Sequence, residues 1–303
     1  MGLRSILKKN KALCFLYEKW LNFYYKALTT ISPKWNVQKR YKAVFKKKIN
    51  LKNPTTLEEK LQWLKLYDYN NNPLVHKCAD KYAVRGYIEE CGYGHILNEL
   101  YGVYDDPKQI DWAALPQQFV LKWNFGCGLN LVCKDKEKFD EKKTKRLLKK
   151  WKKDKKWMLH AEMQYKYAPK KLLCEKMLVD EAQPNGLTDY KVYCFHGEPK
   201  AILVMQDRAT GVKAEFFTPD WTPLENTGKY AAPETKTPAP ACLKELIEVS
   251  KKLSAAFPFV RCDFYIVQDK LYFGEMTFTP AAGLYLSKTE VEGKDMTEFL
   301  RIK

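Results

Sequence analysis

The sequence predicts an α+β protein of two compact units, and three observations carry that prediction. The 303-residue chain is 46% hydrophobic and 14% aromatic, enough to fill real cores and too long for one minimal domain. Its apolar period changes, from helical spacing in the first third to short apolar runs from Phe119 onward. Hairpins and helices then alternate irregularly, which excludes a regular βαβ array.

Taken in order, Leu3, Ile6, Leu7, Leu13, Leu16, Tyr17, Trp20, Leu21, Tyr24 and Leu28 recur at helical spacing, flanked by Lys8, Lys9, Lys11, Lys19 and Lys26. This is a basic amphipathic helix with interfacial aromatics. It suits either a membrane surface through residues 1–31 or docking on protein, its own or a second subunit's. Ser32-Pro33 ends it, and a second basic segment runs to Ile49. Asn53-Pro54-Thr55-Thr56 starts a helix carrying Leu57, Leu61, Leu64 and Leu66, with Glu58 and Glu59 in its first turn. A further helix is expected over 73–91. Strands at 119–123 and 131–133 bracket a glycine-containing hairpin loop, 124–130. A lysine-rich helix covers 140–157, and short buried strands are expected at 172–178, 189–195 and 201–205. Five prolines make 218–241 a loop. A helix over 242–257 and a strand pair, 259–266 and 270–277, close the pattern. The expected organisation is a basic helical region, 1–75, a small subdomain with the glycine loop, 76–174, and a large subdomain, 175–303.

The net charge of +17 is unevenly placed. Residues 1–50 hold thirteen Lys and Arg against the single Glu18, and residues 134–156 hold thirteen against five acids. Such blocks attract lipid headgroups, acidic polysaccharide or nucleic acid, although a lysine-rich helix is also simply a solvated face. No RRM, zinc-finger or helix-turn-helix signature accompanies the charge, so nucleic acid is the weakest of these partners. The longest stretch without Asp, Glu, Lys or Arg, 276–287, is twelve residues, too short to span a bilayer. Nine cysteines, without a CxxC pair, read as reduced thiols. With no signal peptide legible, the expectation is a cytoplasmic protein, peripheral on the inner membrane face if residues 1–31 bind lipid.

Several familiar sites are absent: a GxxxxGK[ST] loop, GxGxxG, GxSxG, Asp-x-Asp and any His/Cys cluster with metal spacing. His76, His95, His160 and His196 are scattered. What remains is Lys122 before a loop whose Gly126 and Gly128 let backbone amides approach a phosphate, a pattern shared with ordinary hairpins. Asp263 and Glu275 stand about equally far from the turn at Gln268-Asp269, so two carboxylates face each other across a ladder. They are either exposed strand carboxylates or a pair separated by a cation such as Mg²⁺.

These pieces, in this order, resemble the ATP-grasp superfamily, specifically its teichuronopeptide-biosynthesis (TupA-like) branch. The resemblance rests on Asn53-Pro54 and Glu59 to Asp68, Ala79 to Arg85, and Phe119 to Lys122 with its glycine loop. It continues through Asp189-Tyr190-Lys191, Asp207-Arg208, Val260 to Tyr265 and Phe273 to Thr277, covering roughly residues 35–300. It implies an ATP-grasp fold, two α+β subdomains with antiparallel sheets clasping ATP. It also implies roles. Lys81 and Lys122 contact phosphates under the loop of Gly126 and Gly128, and Glu175, Lys176 and Leu178 lie on the hinge strand beside adenine. Asp189 and Lys191 lie near ribose and phosphates. Arg261 stabilises the transferring phosphoryl group, with Lys191 and Arg208 in the same catalytic set, and Asp263, Glu275 and Thr277 hold Mg²⁺.

Two departures stand out. Thr277 replaces the Asn usual in the superfamily, and the basic region 1–75 stands where a Rossmann-like substrate domain usually does. The resemblance implies an ATP-dependent carboxylate–amine ligase working through an acyl phosphate on a uronic-acid-containing surface glycan or its lipid-linked precursor. A polysaccharide-pathway glycosyltransferase or phosphotransferase, and a degenerate scaffold, are the alternatives.

Overall fold

The computed structural model describes residues 11–225, 230–284, 290–291 and 293–302. Leu3, Ile6, Leu7, Lys8 and Lys9 of the expected first helix therefore lie outside the described residues. Helix α1, Lys11–Ile31, ends at Ser32, whose hydroxyl caps α2, Pro33–Phe45, with Pro33 at the first helical position. In α3, Leu57–Tyr67, Thr56 caps Glu59 N. The Glu59 carboxylate in turn accepts from the amides of Asn50 and Thr55, at 3.1 and 3.0 Å.

The helix expected over 73–91 is two helices, α4 (Pro73–Ala79) and α5 (Ala83–Glu90). The break is made by Asp80, whose backbone is extended. Its Oδ1 accepts from the amides of Tyr82 (2.7 Å) and Ala83 (3.1 Å), starting a new helix instead of continuing the old one.

Besides a short pair, Glu290–Val291 with Lys294–Asp295, near the C-terminal end of the described residues, two large antiparallel sheets follow. The smaller joins β1 (Leu100–Tyr104), β2 (Phe119–Trp123), β3 (Asn130–Cys133) and β4 (Leu172–Lys176) in the order β1-β4-β2-β3. Its apolar face, Phe119, Leu121, Trp123 and Cys174, packs with Leu148 of the lysine-rich α6, Glu141–Lys152. Strand β4 stops at Lys176, two residues before the expected end. The larger sheet runs β10-β9-β5-β6-β7-β8, from β5 (Asp189–Phe195), β6 (Glu198–Gln206), β7 (Lys213–Phe217), β8 (Pro223–Leu224), β9 (Phe259–Val267) and β10 (Lys270–Thr277). Helix α7, Leu243–Ser254, buries Leu246, Val249 and Leu253 in one core with Val192, Cys194, Cys262 and Phe264. Each such leucine contributes about 2 kcal/mol of burial.

That core also takes Leu57, Leu61 and Leu64 of α3, Val75 and Cys78 of α4, and Val84 and Ile88 of α5. The helices over 57–90 thus share one core with the larger sheet. Their apolar spacing finds its partners on the larger sheet, and the four-stranded unit's own strands begin only at Leu100. No helix among the described residues is long and apolar enough to cross a membrane.

Candidate active site

Strand alternation divides the faces of the larger sheet. Val192, Cys262 and Phe264 face the core, whereas Asp189, Lys191, Arg261 and Asp263 share the opposite face, with Lys191 paired to Asp263 and Asp189 to Tyr265. Glu275 joins them through an irregularity. Phe273 pairs with Phe264 but Glu275 with Asp263, so Gly274 is an extra residue in β10. Continued without this bulge, the ladder would set Glu275 against Cys262 and into the core; the extra residue turns Glu275 and Thr277 onto the polar face. Gly274 is needed there, because a Cβ would lie 2.9 Å from the Asp263 carbonyl oxygen.

The polar face is a reciprocal ion-pair network. Asp263 is buried and has both oxygens taken: Oδ1 by Arg261 Nε at 2.6 Å, and Oδ2 by Arg261 Nη2 and Lys191 Nζ, each at 2.7 Å. Lys191 reaches Asp189 at 3.3 Å, and Arg208 pairs with Asp189 from outside. Thr277 Oγ1 donates to Glu275 Oε1 at 3.0 Å and accepts from Arg261 Nη2 at 3.3 Å. Burial alone would raise the Glu275 pKa, but Lys81, Arg261 and Lys191 overcome it and hold the carboxyl down to about 2. Desolvation works against the Arg261 cation, and Asp263 outweighs it, raising that pKa.

Lys81 joins the two sheets. Its Nζ donates to Gly126 O in the glycine loop at 2.8 Å and lies 3.6 Å from Glu275 Oε2. The base of the loop is fixed by buried Asn124, whose Nδ2 donates to Asp80 Oδ2 and Pro169 O, each at 2.6 Å, and whose carbonyl accepts from Lys81 N at 2.9 Å. Burial raises the Asp80 pKa against these hydrogen bonds. Gly126 and Gly128 have φ of 68° and 71°, left-handed values that glycine adopts without strain. On the smaller sheet Lys122 meets Glu175 at 2.6 Å, with the carboxylate nearly buried.

The structure thus gathers Lys81, Gly126, Asp189, Lys191, Arg208, Arg261, Asp263, Glu275 and Thr277. Lys122 and Glu175 form a separate pair on the other sheet. Lys176 is exposed and pairs with Glu99, away from this network, and Leu178 lies beyond β4. Sequence reasoning missed Tyr165. It packs against the larger core, and its phenol is pushed well up, by burial first and then by the charges of Glu162 and Glu275. Also missed was the support behind Thr277. There Glu162 accepts from Thr279 at 2.8 Å, and Gln62 donates to the carbonyls of Ala282 and Gly283 at 2.8 and 3.0 Å. Buried Lys65 donates to Ala282 O at 3.1 Å, and burial lowers its pKa to about 8. Ala281 and Ala282 are left-handed there, at φ 48° and 58°, a strain that these donors oppose.

A TupA-like ATP-grasp family model matches residues 59–294. The chain belongs to that family. Its fold is the ATP-grasp fold, and the matched span contains both sheets and the whole polar face. Among solved structures the chain is similar to an N5-carboxyaminoimidazole ribonucleotide synthetase in its ADP complex, at 15% identity and a TM-score of 0.43, covering 72% of this chain and 49% of that one. It is also similar to a D-alanine–D-alanine ligase from Bacillus anthracis complexed with ATP, at 13% identity and a TM-score of 0.39, covering 67% and 54%. A third is an L-amino acid ligase from Bacillus licheniformis, at 12% and 0.41, covering 69% and 45%. The chain spans about half the length of these proteins. No curated protein matches it.

Mg²⁺ is usually held by one or two carboxylates, with phosphates and waters completing an octahedron. Asp263 and Glu275, side by side with Glu275 kept ionised, fit that requirement. Among the described residues no three or more His, Cys, Asp or Glu side chains form a metal cage. Of the two carboxylates, Glu275 has the more accessible oxygens, since both Asp263 oxygens already face cations.

Proposed function

We propose that the protein is an ATP-dependent carboxylate–amine ligase. In this reading a substrate carboxylate oxygen attacks the γ-phosphorus of ATP and ADP leaves. An amine nitrogen then attacks the acyl carbon, expels phosphate, loses its proton to solvent and forms an amide. The observation that supports it is the polar face, where Arg261, Lys191 and Lys81 converge on Asp263 and Glu275. Catalysis of phosphoryl transfer is largely positioning and charge stabilisation, and cations already locked by carboxylates need little reorganisation to supply it. Lys81 and Gly126 place the glycine loop over this face, where it excludes water from the phosphates. Lys122, on the smaller sheet, binds the nucleotide from the other side. Mg²⁺ arriving with ATP would be held by Glu275, with Asp263 beside it, and would neutralise phosphate charge.

For the carboxylate substrate we infer a uronic acid of a surface glycan or of its lipid-linked precursor, a reading supported by the family match and by the excess positive charge. The test is ATP consumption with product identification against uronic-acid oligosaccharides and an amine pool. ADP, phosphate and an amide are expected. A phosphorylated sugar without amide would replace the ligase with a phosphotransferase, sugar-nucleotide turnover would replace it with a glycosyltransferase, and absence of ATP binding would leave a scaffold.

A further inference from the structure

Helix α1 has two apolar stripes, of which the protein body covers one. Tyr17, Leu21, Tyr24 and Leu28 recur at alternating four- and three-residue steps and are half-buried. At the helix's C-terminal end, Thr29 Oγ1 donates to Met158 O at 2.5 Å, and Asn36 Nδ2 of α2 donates to Met158 O and Leu159 O at 3.1 and 3.3 Å. The adjacent stripe is Leu16, Trp20 and Phe23, continued by Ile31, and these side chains are exposed by 60, 56, 73 and 67%. Trp35, at the start of α2, is likewise exposed, by 53%. Apolar side chains in such a row serve a partner.

We propose that this stripe docks the protein on an anionic lipid bilayer, lying in the interface with its rings among the headgroups. Charge complementarity selects the occupant. Residues 1–50 carry a single acid, Glu18, against thirteen basic residues. The turn that α1 packs on, around Met158, directly follows the second basic block, where Lys142, Lys143, Arg146, Lys149 and Lys150 are exposed on α6. A protein partner for so apolar a stripe would need an acidic surround of matching size; an anionic leaflet supplies one everywhere. The stripe precedes residue 59, where the family match begins, so docking is separable from the ATP site.

The test uses the full chain and vesicles of phosphatidylcholine with or without phosphatidylglycerol. Cosedimentation should require phosphatidylglycerol and weaken with salt. The triple variant Leu16→Ser, Trp20→Ser, Phe23→Ser should bind at least about tenfold less while keeping the parent's melting temperature and ATP binding. As a second measurement, lipids brominated near the headgroup should quench fluorescence in the parent more than in Trp20→Phe. Equal partitioning of parent and triple variant overturns the proposal. So does a parent that ignores anionic vesicles, or a parent dimer that the triple variant makes monomeric, which would assign the stripe to a second copy.

Discussion

The two sheets differ in how they hold charge. The smaller sheet presents one self-contained pair, Lys122 with Glu175. The larger presents a network in which each carboxylate serves more than one cation: Asp263 binds Arg261 and Lys191, Asp189 binds Lys191 and Arg208, and Glu275 lies near Arg261 and Lys81. A single pair can be re-formed with a ligand by moving one side chain. A network cannot, because each carboxylate, and Lys191 and Arg261 among the cations, is held by two others. That rigidity is what an electrostatic site requires; under the proposed function, chemistry would fall to the larger face and nucleotide capture to the smaller.

Asp263→Asn should break the contrast most severely. It leaves Arg261 and Lys191 without their shared anion, and uncompensated buried charge costs about 3–5 kcal/mol. Urea unfolding reads this loss, and ATP turnover should vanish with it. Lys122→Met should weaken nucleotide binding or turnover by about 2–4 kcal/mol. The two sheets then separate on rescue. Adding Glu175→Gln to Lys122→Met should restore most of the stability, since the pair has no third member. Adding Lys191→Met to Asp263→Asn should not, because Arg261 keeps only the more distant Glu275 in place of the carboxylate that took both its Nε and Nη2. Equal rescue in both would erase the distinction.

Gly274→Ala should cost about 1–3 kcal/mol, an overpacking penalty against the Asp263 carbonyl, and lower turnover by misplacing Glu275; magnesium dependence of turnover checks it. Thr277→Val should cost about 0.5–1.5 kcal/mol for each of the two hydrogen bonds it loses, with Thr277→Asn tolerated. The smallest effect is one of pH. The folded Glu275 pKa, about 2, lies below its ordinary 4.5. Its contribution to stability is therefore complete above pH 4.5 and lost as pH falls toward 2. Glu275→Gln should melt below the parent at neutral pH and converge with it near pH 2. A constant gap would show that Glu275 is not held by these cations.

Much of this was legible in the sequence because it is local. Period-2 runs placed the strands around the glycine loop, and the Asp263–Glu275 pairing could be counted from one turn. The two helices of 73–90 were read as one, because only the Asp80 side chain, bonding two amides beyond it, reveals the break. Tyr165, Glu162 and Lys65 carried no signal: they come in from a connecting stretch and a distant helix, through contacts that depend on tertiary packing. Counting from the turn also hid a flaw. An ideal ladder sets Glu275 against Cys262, and a glycine preceding an acid was the one sign that it does not.

The bulge at Gly274 makes parity the quantity that the hairpin 259–277 must conserve. Counted from the turn at Gln268-Asp269, Asp263 and Glu275 share a face only because one strand is longer by an odd residue. Inserting or deleting one residue between Lys270 and Glu275 would exchange the two faces of the strand beyond it, delivering a carboxylate to the core and Met276 to the cleft. Adding two would restore the facing and merely lengthen the turn. A hairpin of this kind is read in steps of two, and frame, more than the identity of any apolar residue before Glu275, decides which side chains face the cleft.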